Sequence, residues 1–117
     1  MQPRVTSELW IAVLVRRAFS SGGFAAVVRR GSAEAGAIFV VARSRLGEQV
    51  LFGPAPQTSY DEDRPSDRLF AELLRTIDED EIRNRLAKEE RFDPDYWVVE
   101  VELDDAQLKE LVPVRTP

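Results

Sequence analysis

Residues 96–103 read YWVVEVEL, with Trp97, Val99, Val101 and Leu103 alternating with Val98, Glu100 and Glu102. A period of two sends successive side chains to opposite faces, so the segment predicts a strand with one face in a core and the other in water. A half-buried strand needs neighbours to complete a sheet and a second layer to cover the apolar face. The remaining residues have to provide both.

Helical layers are readable on either side. Over residues 7–21, Trp10, Val13, Leu14 and Ala18 recur at helical spacing behind a capping Ser7 and an acidic Glu8, and Gly22-Gly23 stop the run. Asp78 and Glu81 resemble a capping box for a helix to about residue 90, with Ile82 and Leu86 on one face. Asp104 and Asp105 cap a short last helix that Pro113 ends. Leu69, Phe70, Leu73 and Leu74 fit one helical face over residues 68–75, with Asp67 as cap.

Strands occupy the first half. Residues 24–30 and 37–43 are apolar and β-branched runs around the small-residue turn 31–36, which predicts a hairpin. A turn at 44–47, with Gly47 free to take positive φ, leads into a third strand at 48–53, so the three form an antiparallel meander. The expectation is an α+β domain: an antiparallel sheet of about four strands packed on one face by two or three helices. Trp10, Leu14, Phe24, Val28, Ile38, Val40, Phe52, Leu86, Trp97, Val99 and Val101 form its core. The 117 residues leave room for one domain over 1–117, interrupted by a proline-rich loop at 54–67.

Composition narrows the chemistry more than the fold. The chain has neither histidine nor cysteine, which removes the usual neutral-pH base, the commonest metal ligands, thiol nucleophiles, the Ser-His-acid triad and any disulfide framework. Gly31 and Gly36 have the outer spacing of a phosphate-binding loop, but Ala37-Ile38 stands where Lys and Ser or Thr are needed. Asp61, Asp63 and Asp67 could supply oxygen ligands, yet Pro65 breaks the calcium-loop pattern. No catalytic residue, metal site or cofactor is expected. The longest apolar run, residues 9–15, is too short to span a bilayer, and the cytoplasm is the expected compartment.

Charge divides unevenly, with residues 1–60 carrying a net +4 and residues 61–117 a net −9. The halves are expected to neutralise each other on folding, with a basic face for an anionic partner as the alternative. In a hairpin turning at 31–36, Arg29 and Arg30 lie at one end of the sheet and Arg43 and Arg45 at the other. Asp93-Pro94-Asp95 reads as a turn whose carboxylates bond nearby backbone amides.

Several segments together carry a family resemblance: the Arg16-Arg17 helix, GGFAAVVRRG at 22–31, AGAIFV at 35–40, GPAPQ at 53–57 and FDPDYWVVEVE at 92–102. The chain resembles the short bacterial family known as domain of unknown function fourteen ninety-one. Residues 67–80 match least well. The resemblance implies a bacterial, cytosolic, single-domain protein and carries no assigned activity.

Three functional expectations follow. The first is a non-catalytic module that binds a protein partner or itself, through Pro54, Pro56, Gln57, Tyr60 and Asp61 of the long loop. The second is nucleic-acid or nucleotide binding through Arg29, Arg30 and the other arginines of the first half. The third and weakest is an enzyme run on carboxylates, for which Asp93 and Asp95 are the better pair.

Overall fold

A computed structural model describes residues 5–56 and 68–115. The chain runs α1 (Ser7–Ser20), β1 (Phe24–Arg29), β2 (Ala37–Arg43), β3 (Gln49–Pro54), β4 (Phe70–Thr76), α2 (Glu79–Phe92), β5 (Tyr96–Glu102) and α3 (Asp105–Leu111). The strands form one mixed sheet in the order β1-β5-β2-β3-β4. The α+β class is therefore as expected, with five strands rather than four.

The hairpin expected between residues 24 and 43 does not form. β5 lies between β1 and β2, antiparallel to the first and parallel to the second, so only the β2–β3 half of the meander survives. Local sequence signals cannot report a strand that arrives from more than fifty residues away. The connection from β1 to β2 crosses the start of β5 and is tied to it: the Ser32 amide donates to Asp95 Oδ1 at 2.7 Å, and Trp97 Nε1 donates to the Ser32 carbonyl at 2.8 Å.

Residues 68–75, expected as a helix, supply β4 instead. Leu51 pairs with Leu74 but Phe52 pairs with Glu72, leaving Leu73 as the extra residue of a bulge. A bulge breaks strict alternation, so Leu73 and Leu74 both pack on the same core cluster and imitate a helical stripe.

Both faces of the sheet are covered. Ile11, Leu14 and Ala18 of α1 and Leu111 of α3 pack with Ile38, Val40, Phe52, Trp97, Val99 and Val101. On the opposite face Ile82 of α2, with Leu86 alongside, packs with Phe39, Val41, Leu51, Tyr96 and Val98. Two helices thus share one face as expected, and the third covers the other. That is why Val98, assigned to the water side by alternation, is buried. The same double burial accounts for the unbroken apolar run of β2, as central strands with a parallel neighbour require.

Most of the expected core is buried, but Phe24 and Val28 are 44% and 54% exposed. They sit on β1, an edge strand, where Phe24 pairs with Glu102 and Val28 is the extra residue of a bulge. Trp10 and Leu86 are partly buried at the core margins. The first helix is capped by Thr6 rather than Ser7. Ser7 is fully buried one position further in, and its Oγ donates to the Gly36 carbonyl at 2.6 Å.

Candidate functional site

Three features of β1 and its surroundings define the candidate site, beginning at the strand's C-terminal end. There Arg29 lies 3.9 Å over the Tyr96 ring, donates to the Pro94 carbonyl at 2.9 Å and pairs with Glu90 at 3.1 Å. Arg30 stacks 5.0 Å from the centre of the Trp97 ring. Asp93 accepts from the Asp95 amide at 2.9 Å, and Asp95 accepts from Ser32. Both aspartates are exposed and engaged with backbone amides, which is the turn chemistry expected of them. Arg29, Arg30, Asp93 and Asp95 therefore come together at one end of the sheet.

At the strand's other end is a cleft of about 820 Å³ between the end of α1, the start of β1, the turn after β2 and the start of α3. Gly22, Gly23 and Phe24 form part of its wall, with Glu102, Asp104 and Asp105 opposite and Arg43 and Arg45 at its side. Arg43 is already tied to Glu100 at 2.8 Å and Glu79 at 3.6 Å. Arg45 is the remaining cation of the cleft, against three carboxylates, so this end is acidic.

Between the two ends runs the outer edge of β1. It pairs with β5 on one side and with no described residue on the other. Phe24 and Ala26 share a face, exposed Val28 is the extra residue of a bulge, and Phe19 at the end of α1 meets Phe24 edge to face at 5.7 Å. Phe19 is itself 53% exposed, so an apolar strip flanks an unpaired backbone edge. A bulge between Val27 and Arg29 bends its last residues.

The opposite edge of the sheet is protected in several ways. The Phe70 amide donates to the Pro113 carbonyl at 2.9 Å and the Arg115 amide to the Phe70 carbonyl at 2.7 Å, so the segment after α3 covers the start of β4. Further along, Arg75 pairs with Glu48 at 2.6 Å and Glu72 at 2.7 Å. The hydrogen bond from Glu72 and then that from Glu48 raise the Arg75 guanidinium still further above its ordinary range, so it is always charged. Charges and a covering segment are the usual devices that keep an edge from pairing; the regular part of β1 has neither.

The other expected contact residues are scattered. Pro54 ends β3, exposed, and the Pro56 carbonyl accepts from Arg115 at 3.0 Å. Gln57, Tyr60 and Asp61, with Asp63 and Asp67, lie outside the described residues. Among the described residues no three carboxylates are grouped to hold a metal ion. Three arginines of the basic half are bound by carboxylates of the acidic half: Arg17 to Glu110, Arg29 to Glu90, and Arg43 to Glu79 and Glu100. No described helix is long and apolar enough to cross a membrane.

Among the described residues, fold and site define a three-helix, five-stranded α+β domain with a bare sheet edge at β1. Residues 5–111 match the family described as protein of unknown function DUF1491, and the chain belongs to that family. Its fold is similar to the solution structure of protein Atu0922 from A. tumefaciens, at 43% identity over 98% of each chain with a TM-score of 0.83. It is also similar to a crystal structure of a DUF1491 family protein from Caulobacter crescentus, at 35% identity over 95% of this chain and 99% of that one, TM-score 0.75. An NMR structure of a DUF1491 family protein from the same organism gives 33% identity over 98% and 100% of the two chains, again with a TM-score of 0.75. No curated protein gave a significant match.

Proposed function

We propose that this protein is a small, non-catalytic protein-binding module of the bacterial cytoplasm, and that it binds by adding an extended segment to its sheet along β1. The bare edge of β1, flanked by Phe19, Phe24 and Val28, carries the reading. Strand addition draws its affinity from main-chain hydrogen bonds and its selectivity from alternate side chains, and this edge offers both. The contact surface moves accordingly from the loop at 54–67 to the sheet edge. Binding nucleic acid through the arginines is the weaker alternative, because Arg17, Arg29 and Arg43 are each held by a carboxylate.

Photocrosslinking in the native cell tests the proposal. A photoreactive residue at Val28 is expected to give protein adducts that disappear when Phe24→Lys is added. The same residue at Lys88, on the exposed side of α2, is expected to give few. Equal yields from both positions, or adducts indifferent to Phe24→Lys, would reject strand addition at β1.

A further inference from the structure

We infer that residues 113–115 are a releasable strap: they keep the edge of β4 closed and tether the chain at Pro56, and both come free in one local opening while the helices and central strands stay folded. The inference does not depend on the reading of β1.

The strap begins where the core ends. Val112 is fully buried, and its amide closes the last turn of α3 on the Leu108 carbonyl at 2.8 Å, so the chain is anchored up to that residue. Pro113 has no N–H and cannot prolong the helix, which fixes the point of departure. Beyond it the side chains leave the core, Val114 being 39% exposed. The bonds that hold the strap are polar. The Phe70 amide donates to the Pro113 carbonyl, the Arg115 amide to the Phe70 carbonyl, and the Arg115 guanidinium to the Pro56 carbonyl. Hydrogen bonds of this kind, with little apolar burial behind them, belong to the low-stability end of a fold, which opens without the core.

The elements beside the strap are fastened without it. The buried Phe70 ring lies 5.3 Å from the Trp10 ring, which holds β4 to α1. The Ala55 amide donates to the Leu69 carbonyl at 2.9 Å, extending the β3–β4 pairing, and Arg68 donates to the Val5 carbonyl at 2.7 Å. Release therefore costs the strap's own bonds and little else.

Release uncovers the amide and carbonyl of Phe70. Alternation along an antiparallel strand puts those of Glu72 on the same side, so the freed row runs as far as the bulge at Leu73. In the closed state the strap itself occupies the start of this row, as the parallel bridge between Phe70 and Val114 shows. The edge of β1 is open to any described residue, whereas that of β4 is conditional on the strap.

NMR hydrogen exchange of the full chain at low denaturant concentrations is the test. The Phe70 and Arg115 amides are expected to share one level of protection, at least about a hundredfold below that of the amides shared by β2 and β5, with little dependence on denaturant. Arg115→Ala removes the side-chain tether and keeps the amide, and is expected to lower Phe70 protection about tenfold. Arg115→Pro removes both donors and is expected to lower it further, leaving β2 and β5 within about twofold of the parent. Phe70 protection equal to that of β2 and β5 would mean that the strap opens only with the whole fold, and would overturn the inference. Protection at Phe70 and Arg115 more than about tenfold apart would overturn the single opening. A Phe70 amide indifferent to Arg115→Pro would overturn the strap as its cover.

Discussion

Gly23 and Gly22 are adjacent, yet replacing each with alanine should fail for a different reason. A Cβ at Gly23 would lie 2.5 Å from the Glu102 carbonyl oxygen and 2.6 Å from Leu103 Cδ2. An unstrained carbon-to-oxygen contact is roughly 3.3 Å, so β1 and the end of β5 must separate by close to an ångström or the chain must twist. Because one of the crowded atoms is backbone, rotamer change cannot relieve it, and overpacking of this kind costs about 1–3 kcal/mol. Gly22 has φ +86° and nothing within 4 Å of its would-be Cβ, so Gly22→Ala should lose about 1–2 kcal/mol through backbone conformation alone. Asparagine separates the causes: Gly22→Asn should recover part of the loss because Asn tolerates the left-handed region, while Gly23→Asn should be at least as damaging as Gly23→Ala. Urea unfolding monitored by tryptophan fluorescence reads the differences, with unchanged slopes showing that native stability has moved. A Gly23→Ala variant within about 0.5 kcal/mol of the parent would refute the close-approach argument.

Further outcomes follow from single contacts. Ser7→Ala leaves the Gly36 carbonyl without its 2.6 Å donor in a fully buried position, and should cost about 1–3 kcal/mol, seen as a drop of several degrees in Tm. Asp95→Ala removes the acceptor of the Ser32 amide and should lower Tm by a few degrees; in a broad substrate screen neither Asp93→Asn nor Asp95→Asn is expected to remove an activity. Val28→Lys should change stability by less than about 0.5 kcal/mol because the position is exposed, and Phe24→Lys by about 0.5–1.5 kcal/mol because it also loses its contact with Phe19; a larger loss at Val28 in calorimetry would mean the edge is covered within the chain.

What the sequence made legible depended on how local each signal was. Asp78 and Asp104 cap their helices through side-chain bonds to Asp80 and Gln107, and both are visible in the chain because a cap and its helix are contiguous. Trp97, Val99 and Val101 were assigned correctly by alternation. Val98 was not, although the four apolar residues at 96–99 in a row hint that both faces are covered. Residues 68–75 misled because a bulge at Leu73 reproduces helical spacing inside a strand. Phe24 and Val28 look like core in composition, and only the insertion of β5, which leaves β1 at the edge, exposes them. The candidate site escaped the sequence for that reason: an edge belongs to the order of strands in the sheet, and no short motif encodes it.

The position of β5 also bears on how the protein is made. A ribosome adding roughly 5–20 residues per second releases β1 and β2 several seconds before the strand that joins them. Until residues 96–102 emerge, β1 lacks its sole described neighbour, and the pairing surface of β2 that β5 will fill stands open. The nascent chain therefore carries an unpaired β1, AAVV, and a β2, AIFVVA, open on the side that β5 will fill, through about half of translation. Such exposed strands are the substrate that holding chaperones recognise and that aggregation draws on, so in the cell the vulnerable interval for this chain is its synthesis rather than its folded lifetime.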